Sequence, residues 1–138
     1  MAKHGARCVL VSGGFDRVTG VVRDHLGFHA DRANHLEVGD DGLLTGKARK
    51  PVVDSDTKLA TLRETALTAG VTLADCVAIG DGANDRRMVE GAGLGIAYRA
   101  KPALKQATPV HIDHTDLRTA LYFQGYEDAE IDGEAMGA

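Results

Sequence analysis

Three short polar clusters combine residue types and spacings that suit phosphate and metal chemistry. Ser12-Gly13-Gly14 follows the apolar run 7–11, Lys58 opens a segment of helical period, and Asp81-Gly82-Ala83-Asn84-Asp85 follows the apolar run 76–79. A serine hydroxyl and glycine N–H groups at a helix start suit a phosphate, because the helix dipole favours negative charge there. The alternative for this first cluster is an ordinary N-cap with a tight turn.

The third cluster has the carboxylate spacing of a magnesium site. Asp81 comes directly after the apolar run, and Asp85 follows four residues later, about one helical turn away. Both carboxylates can reach one cation, and Mg²⁺ prefers a few carboxylates together with phosphate oxygens and water. The alternative is a helix N-cap with an acidic residue in the first turn. Lys58, taken by itself, is typical of a solvated surface lysine.

The elements that must position these clusters alternate between short β-branched runs and longer segments of helical period. That order predicts an α/β fold with crossover helices, and Asp40-Asp41-Gly42 predicts a β-hairpin within it. The strands are predicted over 7–11, 76–79, 94–98 and 110–112, and the helices over 18–26, over 58–69, after Asp85 and over 117–123. Because ligands bind at the carboxyl ends of parallel strands, we expect Ser12 and Asp81 to share one crevice.

Composition excludes several classes of protein. The chain has 138 residues, 43% of them hydrophobic, which suffices for one modest core. There are 16 Lys and Arg against 20 Asp and Glu, and no basic cluster is dense enough to bind nucleic acid. No apolar run approaches the roughly 20 residues of a membrane helix or resembles a signal peptide. We therefore expect a cytoplasmic protein with no nucleic-acid or membrane partner.

We predict a domain over residues 1–126 and an acidic, disordered tail over 127–138, since five acids in the tail have no basic residue among them. Cys8 and Cys76 lie in apolar runs outside any metal-binding motif, which predicts buried thiols. His111 and His114 flank Asp113 without the spacing of a metal site, and structural or solvent-facing roles are predicted for both.

Taken together, the clusters closely resemble the second, third and fourth motifs of the haloacid dehalogenase superfamily of phosphatases. Ser12-Gly13-Gly14-Phe15, Leu44-Thr45-Gly46, the glycine-rich run 80–85 and Gly93 to Tyr98 are similar to the phosphoserine phosphatase family in particular. The resemblance covers roughly residues 3 to 126 and implies a Rossmann-like, doubly wound, mainly parallel sheet with a β-hairpin insertion. It departs from the family at Arg86-Arg87, where Leu-Pro is common.

The resemblance implies Mg²⁺-dependent hydrolysis of O-phosphoserine to serine and phosphate, in serine biosynthesis. Carried over residue by residue, it implies that Ser12 and Gly13 hold the phosphoryl group. It implies that Lys58, the catalytic residue, neutralises the charge of that group. It assigns the metal to Asp81, with Asp85 in the outer shell, and it places Asn84 on the phosphate.

The chain is incomplete relative to this family. The strand ending in Asp-x-Asp-x-Thr/Ser, which carries the nucleophile, and the helical cap both precede Ser-Gly-Gly in the family. Asp54-Ser55-Asp56 is the single Asp-x-Asp here, but Lys58 stands where that motif requires Thr or Ser. Ala2 to Gly5 has the pattern of a helix's last turn, so we expect a segment upstream.

Three readings follow from this pattern. We expect the isolated chain to be inactive, and to self-associate or to bind a separate N-terminal fragment that carries the nucleophile. A non-catalytic anion-binding or regulatory module derived from such a phosphatase is the alternative. An unrelated doubly wound domain is a third.

Overall fold

The computed structural model describes residues 1–136. The chain divides into two compact units, Met1–Cys76 and Val77–Ala138. In this described part the strands form three sheets, and most of the pairing is parallel. The predicted α/β order with one hairpin is therefore confirmed. The two units meet in sequence at Cys76 and Val77, within the segment 1–126 that we expect to form the domain.

The first unit begins with β1 (Val9–Phe15), α1 (Asp16–Leu26) and β2 (Ala30–Asn34). β1 and β2 are parallel, and α1 packs on both. The predicted strand 7–11 thus runs four residues further, through the Ser-Gly-Gly cluster. The pairing is irregular between Val11 and Phe15, so the regular ladder stops where that cluster begins.

The apolar side of α1 faces outward. Val18, Val21 and Leu26 are 66%, 69% and 61% exposed, whereas Thr19 is buried. Hydrogen bonds to the sheet account for this orientation. The Thr19 hydroxyl and the Arg23 guanidinium each donate to the Asp31 carboxylate on β2, both at 2.6 Å. These bonds turn the polar side of the helix toward the sheet.

A hairpin and a long helix complete the first unit. β3 (Leu36–Val38) and β4 (Leu44–Ala48) are antiparallel, and the predicted turn at Asp40 to Gly42 joins them. α2 (Ser55–Ala69) then contacts β1 and ends at Gly70, whose left-handed φ of 70° closes the helix.

The second unit is a parallel sheet of β5 (Val77–Gly80), β6 (Leu94–Tyr98) and β7 (His111–Ile112), with β6 in the centre. α3 (Arg86–Gly91), α4 (Pro102–Lys105) and α5 (Thr119–Tyr122) connect and follow the strands. Successive residues of β6 face opposite sides: Ile96 packs with Ile112 and Ala120, and Ala97 packs with Val89 and Leu104.

α3 approaches β6 so closely at Gly95 that a Cβ there would overlap the carbonyl oxygen of Val89. The spacing between helix and strand therefore depends on the missing side chain.

The structure describes a helix within the acidic segment at the end of the chain. Asp128–Met136 forms α6, with Ile131 only 5% exposed. The Tyr122 hydroxyl donates to Asp128 at 2.5 Å, and the Glu127 N–H donates to the Glu130 carboxylate at 2.8 Å. These are the contacts that the structure shows for the acidic segment. Residues 137 and 138 of the predicted tail lie outside the described residues.

Candidate functional site

The first unit holds the Ser-Gly-Gly cluster at the carboxyl end of β1. The Ser12 Oγ accepts the Gly14 N–H at 2.9 Å, which leaves the hydroxyl proton available to an anion. Gly13 and Gly14 are exposed, and α1 begins two residues after Gly14 with Asp16. This is a serine hydroxyl and backbone cluster beside a helix start, as the sequence predicts.

Asp16 adds a charge next to that cluster. Its carboxylate lies 2.7 Å from Nδ1 of His35, and this hydrogen bond, followed by the charge of His35, holds the pKa of Asp16 below its ordinary value. Asp16 therefore stays ionised at neutral pH, as an acidic residue in the first turn of α1.

Lys58 lies in the first turn of α2 and is only 5% exposed. A solvated surface lysine would have its ammonium in water, so that alternative is wrong. Taking an ammonium out of water is costly unless negative charge or acceptors compensate. Lys58 has a hydrogen-bonding or electrostatic interaction within the chain, which helps to offset this cost.

Asp54, the first acid of the single Asp-x-Asp run, is the N-cap of α2. Its Oδ1 accepts the Thr57 N–H at 2.8 Å and the Thr57 hydroxyl at 2.9 Å. The backbone bond, and then the hydroxyl bond, lower the pKa of Asp54. This carboxylate has an ordinary capping role, which accounts for the acid at this position without a nucleophile.

The second unit holds the glycine-rich cluster at the carboxyl end of β5. The two carboxylates differ there: Asp81 is exposed and Asp85 is 5% exposed. Oδ2 of Asp85 accepts the N–H groups of Asp81 and Gly82 at 3.0 and 3.1 Å, while the Lys101 N–H donates to the Asp81 carbonyl at 3.0 Å. The backbone of Asp81 is held on both sides.

Two backbone features make this loop possible. A Cβ on Gly80 would overlap the Asp85 side chain, so only glycine allows that carboxylate to close over the loop. On the other side, Arg99 has a left-handed φ of 42°, uncommon for a residue with a Cβ, just before Lys101. Such conformations persist where the surroundings enforce them, often beside functional loops.

The donor set of the second unit fits Mg²⁺ in part. Among the described residues no cluster of three or more His, Cys, Asp or Glu side chains is arranged for a metal. The Asp81 side chain, however, accepts no hydrogen bond from the described chain, so its oxygens are available. Mg²⁺ commonly takes only one or two protein carboxylates and fills its shell with water and phosphate oxygens.

The predicted site residues thus fall into two groups. The structure places Ser12, Gly13 and Lys58 in the first unit, and Asp81, Asn84 and Asp85 in the second. Asn84 is exposed in the short turn Ala83–Asp85 that precedes α3.

Sequence reasoning missed two further polar features at strand ends. Asn34, the last residue of β2, bonds both to Gly13 and to the segment before α2. The Lys101 N–H holds the Asp81 loop. Their place in the sheets could have indicated them. Asn34 ends a strand parallel to β1, and Lys101 follows a strand parallel to β5; β1 and β5 carry the two polar clusters.

No helix among residues 1–136 combines the length and apolar character needed to cross a bilayer.

Comparison with known proteins gives the family. Residues 1–90 match the model of the haloacid dehalogenase-like hydrolases. The chain is 41% identical to the Mycobacterium tuberculosis phosphoserine phosphatase SerB2 over 99% of its own length and 33% of that protein. It is 40% identical to the Methanocaldococcus jannaschii phosphoserine phosphatase, covering 89% of this chain and 58% of the relative.

Solved structures agree with these relatives. A phospho-aspartyl intermediate analogue of phosphoserine phosphatase superposes with a TM-score of 0.81 at 40% identity, over 88% of this chain and 58% of that one. A probable phosphoserine phosphatase from Vibrio cholerae gives a TM-score of 0.80 at 32% identity, over 87% of this chain and 37% of that one. The chain thus spans about a third to three fifths of these proteins, and it belongs to the haloacid dehalogenase-like hydrolase family.

Proposed function

We propose that this chain supplies the phosphate- and Mg²⁺-binding part of a phosphoserine phosphatase. The observation that carries the proposal is the burial of Lys58, 5% exposed in the first turn of α2. A buried lysine at the position that corresponds to the phosphoryl-neutralising lysine of the family supports that function. The names of the relatives support the same substrate.

In the first unit, Ser12 and Gly13 would bind the phosphoryl oxygens. The Ser12 hydroxyl already accepts the Gly14 N–H, so its own proton donates to the anion, and the exposed Gly13 contributes its N–H. The Lys58 ammonium would offset the negative charge that these donors gather.

In the second unit, Asp81 would bind Mg²⁺ through its available carboxylate, with Asp85 as outer support, and Asn84 would contact the phosphate. When bound, the ion offsets charge on the phosphoryl oxygens. The protein's own contribution is to hold Asp81 in place, because Asp85 and Lys101 fix its backbone before any ligand arrives.

The nucleophile is the part that the chain does not supply. Asp54 caps α2, and no other Asp-x-Asp run is present in the sequence. Covalent phosphoryl transfer by this family requires such a strand. We therefore propose that activity needs a polypeptide segment with Asp-x-Asp-x-Thr/Ser, and that the 138 residues alone bind phosphate without turning over phosphoserine.

Two measurements test this. In a titration of the isolated chain with inorganic phosphate in Mg²⁺, the backbone amides of Gly13 and Asn84 should shift. Ser12→Ala and Lys58→Ala should weaken binding, each by roughly tenfold or more, since bonds to charged groups contribute about 1.5–3 kcal/mol. Lys50→Ala, which removes an exposed lysine of the same unit, is the matched control and should have no effect.

Released phosphate from O-phosphoserine is the second measurement. The chain alone should release none, and the chain fused to the strand-bearing part of the Methanocaldococcus jannaschii relative should become active in a manner that depends on Asp81 and Lys58. Activity of the chain alone that Asp54→Asn abolishes would contradict the assignment of Asp54 as a cap. Phosphate binding with an inactive fusion would favour the non-catalytic anion-binding module.

A further inference from the structure

Asn34 joins the two parts of the first unit that carry the proposed phosphate ligands. Its Nδ2 donates to the carbonyl oxygen of Gly13 at 2.9 Å, and its Oδ1 accepts the N–H of Val53 at 2.7 Å. Gly13 belongs to the Ser-Gly-Gly cluster, and Val53 precedes Asp54, the N-cap of the helix that carries Lys58. One amide group therefore bridges both.

The orientation of this amide follows from its partners. A carbonyl oxygen can only accept and a backbone N–H can only donate, so the reverse orientation of Asn34 would oppose two acceptors and two donors. An amide of this length is required for the bridge, since a carboxylate cannot donate to Gly13 and an aliphatic side chain can do neither.

The bridge compensates for a break in the sheet. β1 and β2 pair regularly from Val9 to Val11, lose their register, and pair again at Phe15 with Asn34. The ladder therefore does not fix Gly13, and the Asn34 side chain bonds to it instead. Its other bond fixes the irregular segment before α2, which has no strand or helix of its own.

We infer that Asn34 is a positioning residue of the phosphate site, which sets the separation between the Ser12-Gly13 donors and the Lys58 ammonium. This inference rests on the proposed function. Asn34 does not contact the anion; it acts through Gly13 and through Val53. Without Asn34, the Ser12-Gly13 donors and Lys58 are still present, but the distance between them is no longer fixed. Part of the binding free energy of phosphate is then spent on ordering them.

The test uses the full chain with inorganic phosphate as the probe, at a temperature where every variant is folded. Asn34→Ala removes both bonds and should weaken phosphate binding roughly tenfold, from two net hydrogen bonds. Asn34→Asp keeps the acceptor for Val53 and loses the donor to Gly13. It should weaken binding as well, through the lost donor and the added negative charge near the anion, while the Val53 N–H keeps its hydrogen bond and the Gly13 carbonyl carbon resonance moves.

Asp54→Ala is the matched control, because it destabilises the same helix start and leaves the bridge intact. It should lower the melting temperature and change phosphate affinity by less than about twofold. If Asn34 only stabilised the fold, the phosphate affinities of Asn34→Ala, Asn34→Asp and Asp54→Ala would fall in proportion to their melting temperatures. Unchanged affinity in Asn34→Ala, or an equal loss in Asp54→Ala, overturns the inference.

Failure of the proposed function gives a different result. If the unaltered chain shows no shift at Gly13 with phosphate and Ser12→Ala changes nothing, the phosphate site itself is wrong and the positioning role falls with it. Movement of the Val53 and Gly13 resonances in Asn34→Ala would then still report the bridge as a structural bond.

Discussion

At the scale of single residues, the two aspartates of the glycine-rich cluster, Asp81 and Asp85, differ in their surroundings. Asp85 is buried and its Oδ2 accepts two backbone N–H groups, whereas Asp81 is exposed and its carboxylate accepts none from the described chain. Sequence spacing indicated that both reach one cation. The hydrogen bonds instead suggest a division, with Asp85 shaping the loop and Asp81 offering oxygens to a ligand.

This division predicts opposite effects of two substitutions. Asp85→Ala leaves the N–H groups of Asp81 and Gly82 without their acceptor and should destabilise the chain by about 1–3 kcal/mol. Asp81→Ala should change stability by less than about 0.5 kcal/mol, as exposed substitutions usually do, while abolishing any Mg²⁺-dependent shift at Asn84. Urea unfolding and a Mg²⁺ titration measure the two. Equal stability losses would contradict the division.

Lys58 shows what residue types alone cannot settle. Its neighbours along the chain are those of a surface helix, and its burial depends on packing that the local sequence does not encode. Asn34 is a similar case, since Ala-Asp-Arg-Ala-Asn lacks the β-branched pattern of a strand and becomes one by pairing with β1.

At the scale of elements, α2 is the helix that carries the lysine of the proposed site. Lys58 lies in its first turn, and Asp54 caps that turn with a bond to the Thr57 N–H. The bond lowers the pKa of Asp54, so the carboxylate binds its proton less readily in the folded chain than in the unfolded one. The cap consequently stabilises the fold above the ordinary pKa of an aspartate, and that stabilisation is lost as pH falls through the lowered pKa.

The expected outcome is a stability difference between the unaltered chain and Asp54→Ala that is constant at neutral pH and declines below about pH 4. Asp54→Asn keeps an uncharged acceptor and should show a difference from Asp54→Ala that does not depend on pH. Thermal unfolding followed by circular dichroism across this range measures both. A difference for the unaltered chain that persists at acid pH would show that charge plays no part in the cap.

Some helices and strands are predicted from the sequence and others are not. The apolar runs and glycines gave β5, β6, α2 and the hairpin with shifts of a few residues, because periodicity and turn residues act locally. The continuation of β1 through Ser12 to Phe15 was missed, since glycines at a strand end are also typical of turns. α6 lies in the segment whose acidic composition predicts disorder, and it buries Ile131.

At the scale of the whole chain, each unit has a strand with an unoccupied edge. Among the described residues β1 is hydrogen-bonded to β2 alone, and β5 to β6 alone. The first unit also exposes Val18, Val21 and Leu26 along α1. Unpaired strand edges beside apolar surface favour association with another polypeptide.

We therefore expect the 138-residue chain to self-associate with a concentration dependence visible in sedimentation velocity. Val21→Lys, in the middle of the exposed stripe of α1, should weaken that association roughly tenfold without unfolding the chain. Leu67→Lys is the control, because Leu67 is 82% exposed elsewhere in the same unit and should have no effect. A chain that sediments as one monomeric species at every concentration would contradict this prediction.

The close approach of α3 to β6 at Gly95 has a consequence for how this sequence can change over generations. Every single-base change of a glycine codon that alters the residue introduces a Cβ, and at Gly95 a Cβ would meet the Val89 carbonyl, which is backbone and cannot rotate away. An exposed position such as Leu67 tolerates many residue types, whereas every amino-acid substitution that a single-base change makes at Gly95 is disruptive. Descendants of this chain should therefore keep that glycine even where they lose the polar clusters, because its replacement would separate the helix from the central strand whether or not the site still works.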